Sequence, residues 1–390
     1  MNSFGKATTW IIGSMLLLTL LAAACSPAAT PTAAPTKAPA ATSPTQAAPA
    51  PTAAAAPKPT VAAAVTPTAL AKPTTLTTVK FGSPGSVSDA GVYVGVERGY
   101  FKDVGLDVQV LPFQSGPLMV APLASGDLDV AGGSISTALL NAIDRGVALK
   151  MVAGKGSNIK GADFSWVIVR KDLVDSGKVK DIKDLKGLKV AVGSLKSGAE
   201  AIIYYLMKQA GMNISDVDLI AMGYPDMLTA FSTKGIDVGM IIEPSVNAAV
   251  EQGLAVRWAP GATSVIYGGE YMAAELVYSE QFTKNTDAAR RFMVGYVKGM
   301  RDYNDAFVKG INKAALVSIL TKATSQKDPA LYDKMLMPYL NPDGKIHMPS
   351  VGMDFDYFKQ MGYYTGNLTL PGIVDTQFTD YAVQQLGAYK

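Results

Sequence analysis

Reactive side chains are scarce in this chain: it has one cysteine, Cys25, and one histidine, His347. A soft-metal site needs several Cys or His ligands converging on one point. A Ser- or Cys-based nucleophile needs a base within hydrogen-bond reach. His347 lies in a Pro-flanked loop of the C-terminal region, so neither arrangement is expected, and no metal or other cofactor is implied. No GxSxG elbow and no P-loop ending in GK[ST] occurs either. Hydrogen-bonding groups remain, in short clusters: Ser86, Ser88 and Asp89; Gln114; Ser134 and Ser136; Ser194 and Ser197; Asp226; Glu243. Tyr93, Trp166 and Tyr224 add aromatic faces. Hydroxyls, amides and carboxylates of this kind hold a molecule by its donors and acceptors without transforming it. These are the candidate ligand-binding residues, and the chemistry they support is recognition.

The clusters follow predicted strands. Thr78–Gly82 reads as a strand, Ala90–Arg98 as a helix and Gly99–Asp103 as a turn. Alternation of Leu106, Val108 and Val110 predicts a strand over 106–112, followed by a helix over 117–124 and a strand over 128–133. The same order recurs: strand 188–193, helix 198–210, strand 217–221, helix 226–231, strand 236–242. Strands alternating with helices imply parallel sheets, and two such units imply two like lobes facing across a cleft. After Val256 the chain is expected to cross back to the first lobe at Val265–Tyr267 and 274–278. Ala289, Phe292, Tyr296, Met300, Tyr303 and Phe307 recur at helical spacing behind an Asn285–Thr286 cap. Further helices are expected to start at Asp328–Pro329 and, with Ser350 as N-cap, before Phe355 and Phe358.

Composition narrows the partner class. Thirty-five basic and 32 acidic residues intermingle to a net charge of +3, so the concentrated basic surface that nucleic acid requires is not present. At the N-terminus, Lys6, an apolar run over 10–21 and Ala22–Ala24 lead into Cys25. The run is shorter than the roughly 20 residues that span a bilayer. It looks like a bacterial lipoprotein signal with Cys25 as the lipidated residue, although Ala22 stands where that signal usually has Leu. An ordinary secretory signal with an incidental cysteine is the alternative; both place the protein outside the cytoplasm. From Ser26 to about Thr78 the sequence is nearly all Ala, Pro and Thr, with too little apolar bulk to fold and a bias to extended backbone. It reads as a tether. The expected division is 1–24 signal, 25–78 lipidated Cys and tether, 79–170 first part of lobe 1, 171–258 lobe 2, and 259–390 return to lobe 1 with C-terminal helices.

The run from Gly91 through Gly99-Tyr100-Phe101-Lys102-Asp103-Val104-Gly105-Leu106 to Val108 resembles the opening of ABC-importer binding proteins for nitrate, sulfonates, taurine and thiamine pyrimidine precursors. Gly126–Ala131, Glu243-Pro244 and Pro371–Phe378 agree with it. The resemblance spans about 79–380. It implies a two-lobed periplasmic-binding-protein (type II) α/β fold with parallel-sheet lobes and a helical C-terminal region, closing on a solute and delivering it to a permease and its ATPase. Related enzymes that synthesise the thiamine pyrimidine use an active-site histidine and a cysteine-rich iron-binding run. Here the only cysteine is Cys25 and the single histidine, His347, lies in a C-terminal loop away from the strand ends, so a non-enzymatic role is expected.

Ligands of open α/β sheets sit beyond the carboxyl ends of strands. Those loops hold Asp89, Asp226 and Glu243 against one Lys196, which suits a neutral solute rich in O–H or N–H donors better than an anion. Tyr93, Phe113, Trp166, Tyr224, Trp258 and Tyr267 lie near the expected rim and hinge, where a ring can stack on a flat heterocycle. Riboflavin combines a flat ring with a polyhydroxyl tail, and riboflavin-importing lipoproteins belong to the resembled family, so riboflavin is the expected solute. A thiamine pyrimidine precursor, or an aliphatic sulfonate or taurine, are the alternatives.

Overall fold

The structure, a computed structural model, describes residues 75–390. The expected signal, Cys25 and most of the tether lie outside the described residues. In chain order the elements that position the cleft are β1 (Thr77–Ser83), α1 (Ala90–Glu97), β2 (Leu106–Pro112), β3 (Val130–Gly133), α2 (Thr137–Asp144), β4 (Lys150–Ile159) and β5 (Ser165–Arg170). Then come β6 (Lys189–Val192), α3 (Gly198–Gln209), β7 (Asp218–Ala221), α4 (Tyr224–Ser232), β8 (Val238–Ile242), β9 (Ala255–Ala262) and β10 (Glu270–Tyr278). Two C-terminal helices, α5 (Thr286–Phe307) and α6 (Met348–Gln360), complete the set.

The strands form two five-stranded sheets of matching plan, β2-β1-β3-β10-β4 and β7-β6-β8-β5-β9. Three strands in each are parallel neighbours, the βαβαβ unit the sequence repeats; the fourth (β10, β5) runs against them and pairs antiparallel with the edge strand (β4, β9). The lobes are therefore mixed sheets around parallel centres. Because β5 belongs to the second sheet, the first crossing falls between β4 and β5, ahead of the expected boundary after residue 170. The second falls between β9 and β10, beyond residue 258.

Local corrections have local causes. Residues 263–266 form a helical turn instead of a returning strand, fixed by Asp163, which accepts from the Ser264 amide at 2.6 Å and from the Thr263 and Ser264 hydroxyls. The returning strand starts four residues before Ala274, at Glu270. Tyr100–Asp103 closes one helical turn inside the expected bend. Helix α6 starts two residues before Ser350, with His347 at the cap position and Pro349 in the first turn, where proline loses no helical bond. Ser350 instead uses its hydroxyl to accept from the Met272 amide, tying α6 to β10.

Helix α5 anchors the first lobe. Phe292, Tyr296, Met300 and Tyr303 are buried along one stripe, and Phe101 stacks on Phe292 with ring centroids 5.0 Å apart. Each such side chain contributes roughly 1.5–3 kcal/mol by burial. Helix α1 crosses so closely that a Cβ on Gly299 would lie 2.0 Å from the Gly91 carbonyl oxygen; glycine is required there by contact distance.

Candidate functional site

The two sheets present their strand ends to one another, and the loops beyond them touch. Ser136 and Ser197 form an antiparallel bridge across the cleft. Beside it the Thr137 amide and hydroxyl both donate to the Lys196 carbonyl, at 3.1 and 3.0 Å, and the Gly198 amide donates to the Ile135 carbonyl at 3.3 Å. Ser115 and Ser194 share a hydroxyl hydrogen bond of 2.8 Å. The lobes are thus sealed along one side in a closed arrangement.

Behind this seam lies a cavity of about 50 Å³. Ser86, Ser88, Ser134 and Lys155 supply its polar wall from the first lobe; Tyr224, Met240 and Ile242 face them from the second, with Phe164 and Tyr271 from the crossings. A bulge between Met272 and Ala274 turns both Ala273 and Ala274 toward the space, as bulges re-aim side chains. Tyr224 reaches it from the first turn of α4, its hydroxyl over Gly193 at the end of β6, and desolvation pushes that hydroxyl up to about 12.

Lys155 is the cation of the site. It is 1% exposed and donates to Asp89 at 2.5 Å and to Ser88 at 2.9 Å. Among the described residues these two acceptors engage two of its three N–H donors, leaving a third for a solute. Asp89 in turn accepts from Ser83 at 2.6 Å and lies 3.4 Å from the Tyr93 hydroxyl. On the other side of the seam, Asp354 accepts from the Tyr267 and Tyr271 hydroxyls, and its burial raises its carboxyl well above the usual range. A Cβ on Gly198 would meet Asp354 Oδ2 and the Tyr271 hydroxyl, both at 2.7 Å, so α3 starts flush against this pair.

The residues expected from sequence divide three ways. Ser86, Ser88, Ser134 and Tyr224 line the cavity. Ser136, Ser194 and Ser197 sit in the seam, while Gln114 and Asp226 are exposed at the rim. Asp89 and Tyr93 stand behind the wall and orient Lys155. Trp166 and Glu243 point elsewhere: the Trp166 indole donates to the Trp258 carbonyl at 2.8 Å, and Glu243 is consumed by Arg257 at 2.7 Å and the Asn247 amide at 2.9 Å. Trp258 fills the second lobe's core, Phe113 packs on the first, and Tyr267 is buried against Asp354. Lys155, Phe164 and Tyr271 are absent from the expected set, as are the carboxylates Glu275 and Asp354. The signal for Lys155 was a lone lysine within the otherwise uncharged run 151–159.

Among the described residues no Cys, His, Asp or Glu group could hold a metal ion, and no helix is long and apolar enough to cross a membrane. A family model described as "NMT1/THI5 like" matches residues 87–305. A binding protein of Brucella abortus (strain 2308) is 26% identical over 219 residues, 55% of this chain and 62% of the relative, so the chain spans 62% of that relative's length. A protein named as an aliphatic sulfonates-binding protein of Escherichia coli (strain K12) is 27% identical over 178 residues, 43% of this chain and 50% of that one. The alkanesulfonate-binding protein SsuA of Xanthomonas axonopodis pv. citri, solved with MOPS bound, superposes with a TM-score of 0.61 at 15% identity, covering 78% of this chain and 99% of that structure. The two-lobed fold is therefore that of the periplasmic binding proteins.

Proposed function

Because the chain belongs to the NMT1/THI5-like family, we propose that it is the extracytoplasmic solute-binding component of an ABC importer, a carrier that closes on a small solute and passes it unchanged to a permease and its ATPase. Cys25 is its lipid anchor in this reading, and the Ala/Pro/Thr-rich stretch its spacer from the membrane. The observation that carries the proposal is a partly closed cavity between matching lobes, with serine hydroxyls, Tyr224 and one lysine in its wall. A Cys- or His-based catalytic group is not among the residues that border it.

Size and charge favour an aliphatic sulfonate. Pockets that take drug-sized ligands run to about 300 Å³ or more, whereas this cavity measures about 50 Å³. Riboflavin is too large for the closed arrangement, and the spare N–H of Lys155 with Ser86, Ser88 and Ser134 suits a compact oxyanion head. The name of the Escherichia coli relative supports the same class. Calorimetric titration of the purified full chain with ethanesulfonate should give saturable binding in the micromolar range, about −8 kcal/mol, and mass spectrometry should recover the solute unaltered. Saturable binding of riboflavin with none of the sulfonate would reverse the choice of substrate. A converted product would end the carrier reading.

A further inference from the structure

The geometry points to Glu275 as a specificity-determining residue of the cleft, one that reads a protonated amine or another N–H donor on the solute. The inference rests on the solute-binding reading above and sharpens it. Glu275 sits on β10 and is 1% exposed, yet among the described residues neither carboxylate oxygen has a hydrogen-bond partner in good geometry, and the nearby Ile135 amide supports it only in part. Its buried neighbours are all matched. Asp89 has Lys155 and Ser83; Asp354 has two tyrosine hydroxyls; Glu200 has the Tyr357 hydroxyl and the Lys196 amide. Leaving a carboxylate buried without a donor is among the costlier arrangements in a protein interior.

Glu275 stands beside the cavity, behind residues that line it. The residue opposite it on β3 is Gly133, and its chain neighbour is Ala274; both line the cavity. Tyr271, which also lines it, lies near enough to feel the Glu275 charge. The amide of Ile135 and the ammonium of Lys155 offset that charge only in part, because burial still holds the carboxyl well above its ordinary range. Asp89 and Ser88 already engage two of the three N–H donors of Lys155. A solute with an acceptor head toward Lys155 and the serines, and an N–H group toward Glu275, would satisfy both ends of the site at once.

Two probes that differ only in the amine separate this inference from the reading beneath it. The purified full chain and Glu275→Gln are titrated with ethanesulfonate and with 2-aminoethanesulfonate, and both proteins are melted without solute. The wild-type chain should bind the amine-bearing probe about tenfold to a hundredfold more tightly, as a charge-assisted hydrogen bond provides. Glu275→Gln should lose most of that preference, keep its ethanesulfonate affinity within about threefold, and melt no lower than wild type. Equal affinities in the wild-type chain, a preference that survives in Glu275→Gln, or a marked fall in melting temperature would each overturn the role of Glu275 and leave the carrier reading standing. If neither probe binds, the sulfonate reading fails and this inference fails with it.

Discussion

At the scale of single residues, the site turns on Lys155 and Asp89, whose side chains are 1% and 0% exposed. Removing one partner of a buried pair strands the other, so Lys155→Met should cost about 3–5 kcal/mol of stability. Replacing both, as Lys155→Met with Asp89→Leu, should recover most of that loss while sulfonate binding stays absent. Chemical denaturation of the two variants beside calorimetry checks both halves. Asp354 adds a pH signature. Its folded carboxyl titrates well above the ordinary value, mainly through desolvation. The folded chain then holds a proton that the unfolded chain has released, so its contribution to stability is complete below about pH 4 and is lost as pH rises through the folded value. Melting curves of Asp354→Asn should show a smaller loss between pH 5 and 8 than wild type; parallel curves would contradict this. The serines and Tyr224 were legible in the sequence because they follow strand ends, where ligands of α/β sheets collect. Lys155 was not, because the glycines at 154 and 156 weaken the strand pattern around it. Glu275 and Asp354 stand next to the residues that border the cleft, placed there by an irregular β10 and a docked C-terminal helix, neither of which alternation reveals.

At the scale of elements, hydrophobic alternation located β1, β2, β3, β6, β7 and β8, which are parallel strands paired within their own repeat. It missed β4, β5 and β9, and all of them pair antiparallel with strands distant in sequence. Long-range pairing of that kind leaves no mark in a local window. Close packing provides two sharper tests. At Gly299→Ala the new Cβ would fall 2.0 Å from the Gly91 carbonyl oxygen, pushing α1 and α5 apart. Overpacking of this kind costs about 1–3 kcal/mol or somewhat more, and calorimetry on the folded variant should show solute affinity unchanged. At Gly198→Ala the clash is with Asp354 and Tyr271 beneath the interlobe seam. That substitution should weaken solute binding by about tenfold, equivalent to 1.4 kcal/mol, with a smaller effect on melting. The two glycines therefore separate packing of one lobe from closure of two.

At the scale of the whole molecule, the matching sheets, the two crossings and the seam at Ser136–Ser197 describe a clamp whose closed form leaves room for only a small solute. A clamp of this kind should open at the Ser136–Ser197 side when empty, because that seam consists of a few hydrogen bonds, each worth only about 0.5–1.5 kcal/mol net. The packing of α3 on α6 through Tyr204, Tyr205 and Tyr357 holds the other side. A bound solute adds differential contacts to the closed state and shifts the population toward it. Leu118 and Leu195 are exposed large side chains near the Ser115–Ser194 contact, one on each lobe. Spin labels on Leu118→Cys and Leu195→Cys, in a chain with Cys25→Ser, report the gap between the lobes by electron paramagnetic resonance. Saturating ethanesulfonate should shift the distance distribution to a shorter and narrower one. An unchanged distribution, under conditions where calorimetry shows the solute bound, would contradict the claim that the lobes close on what they carry.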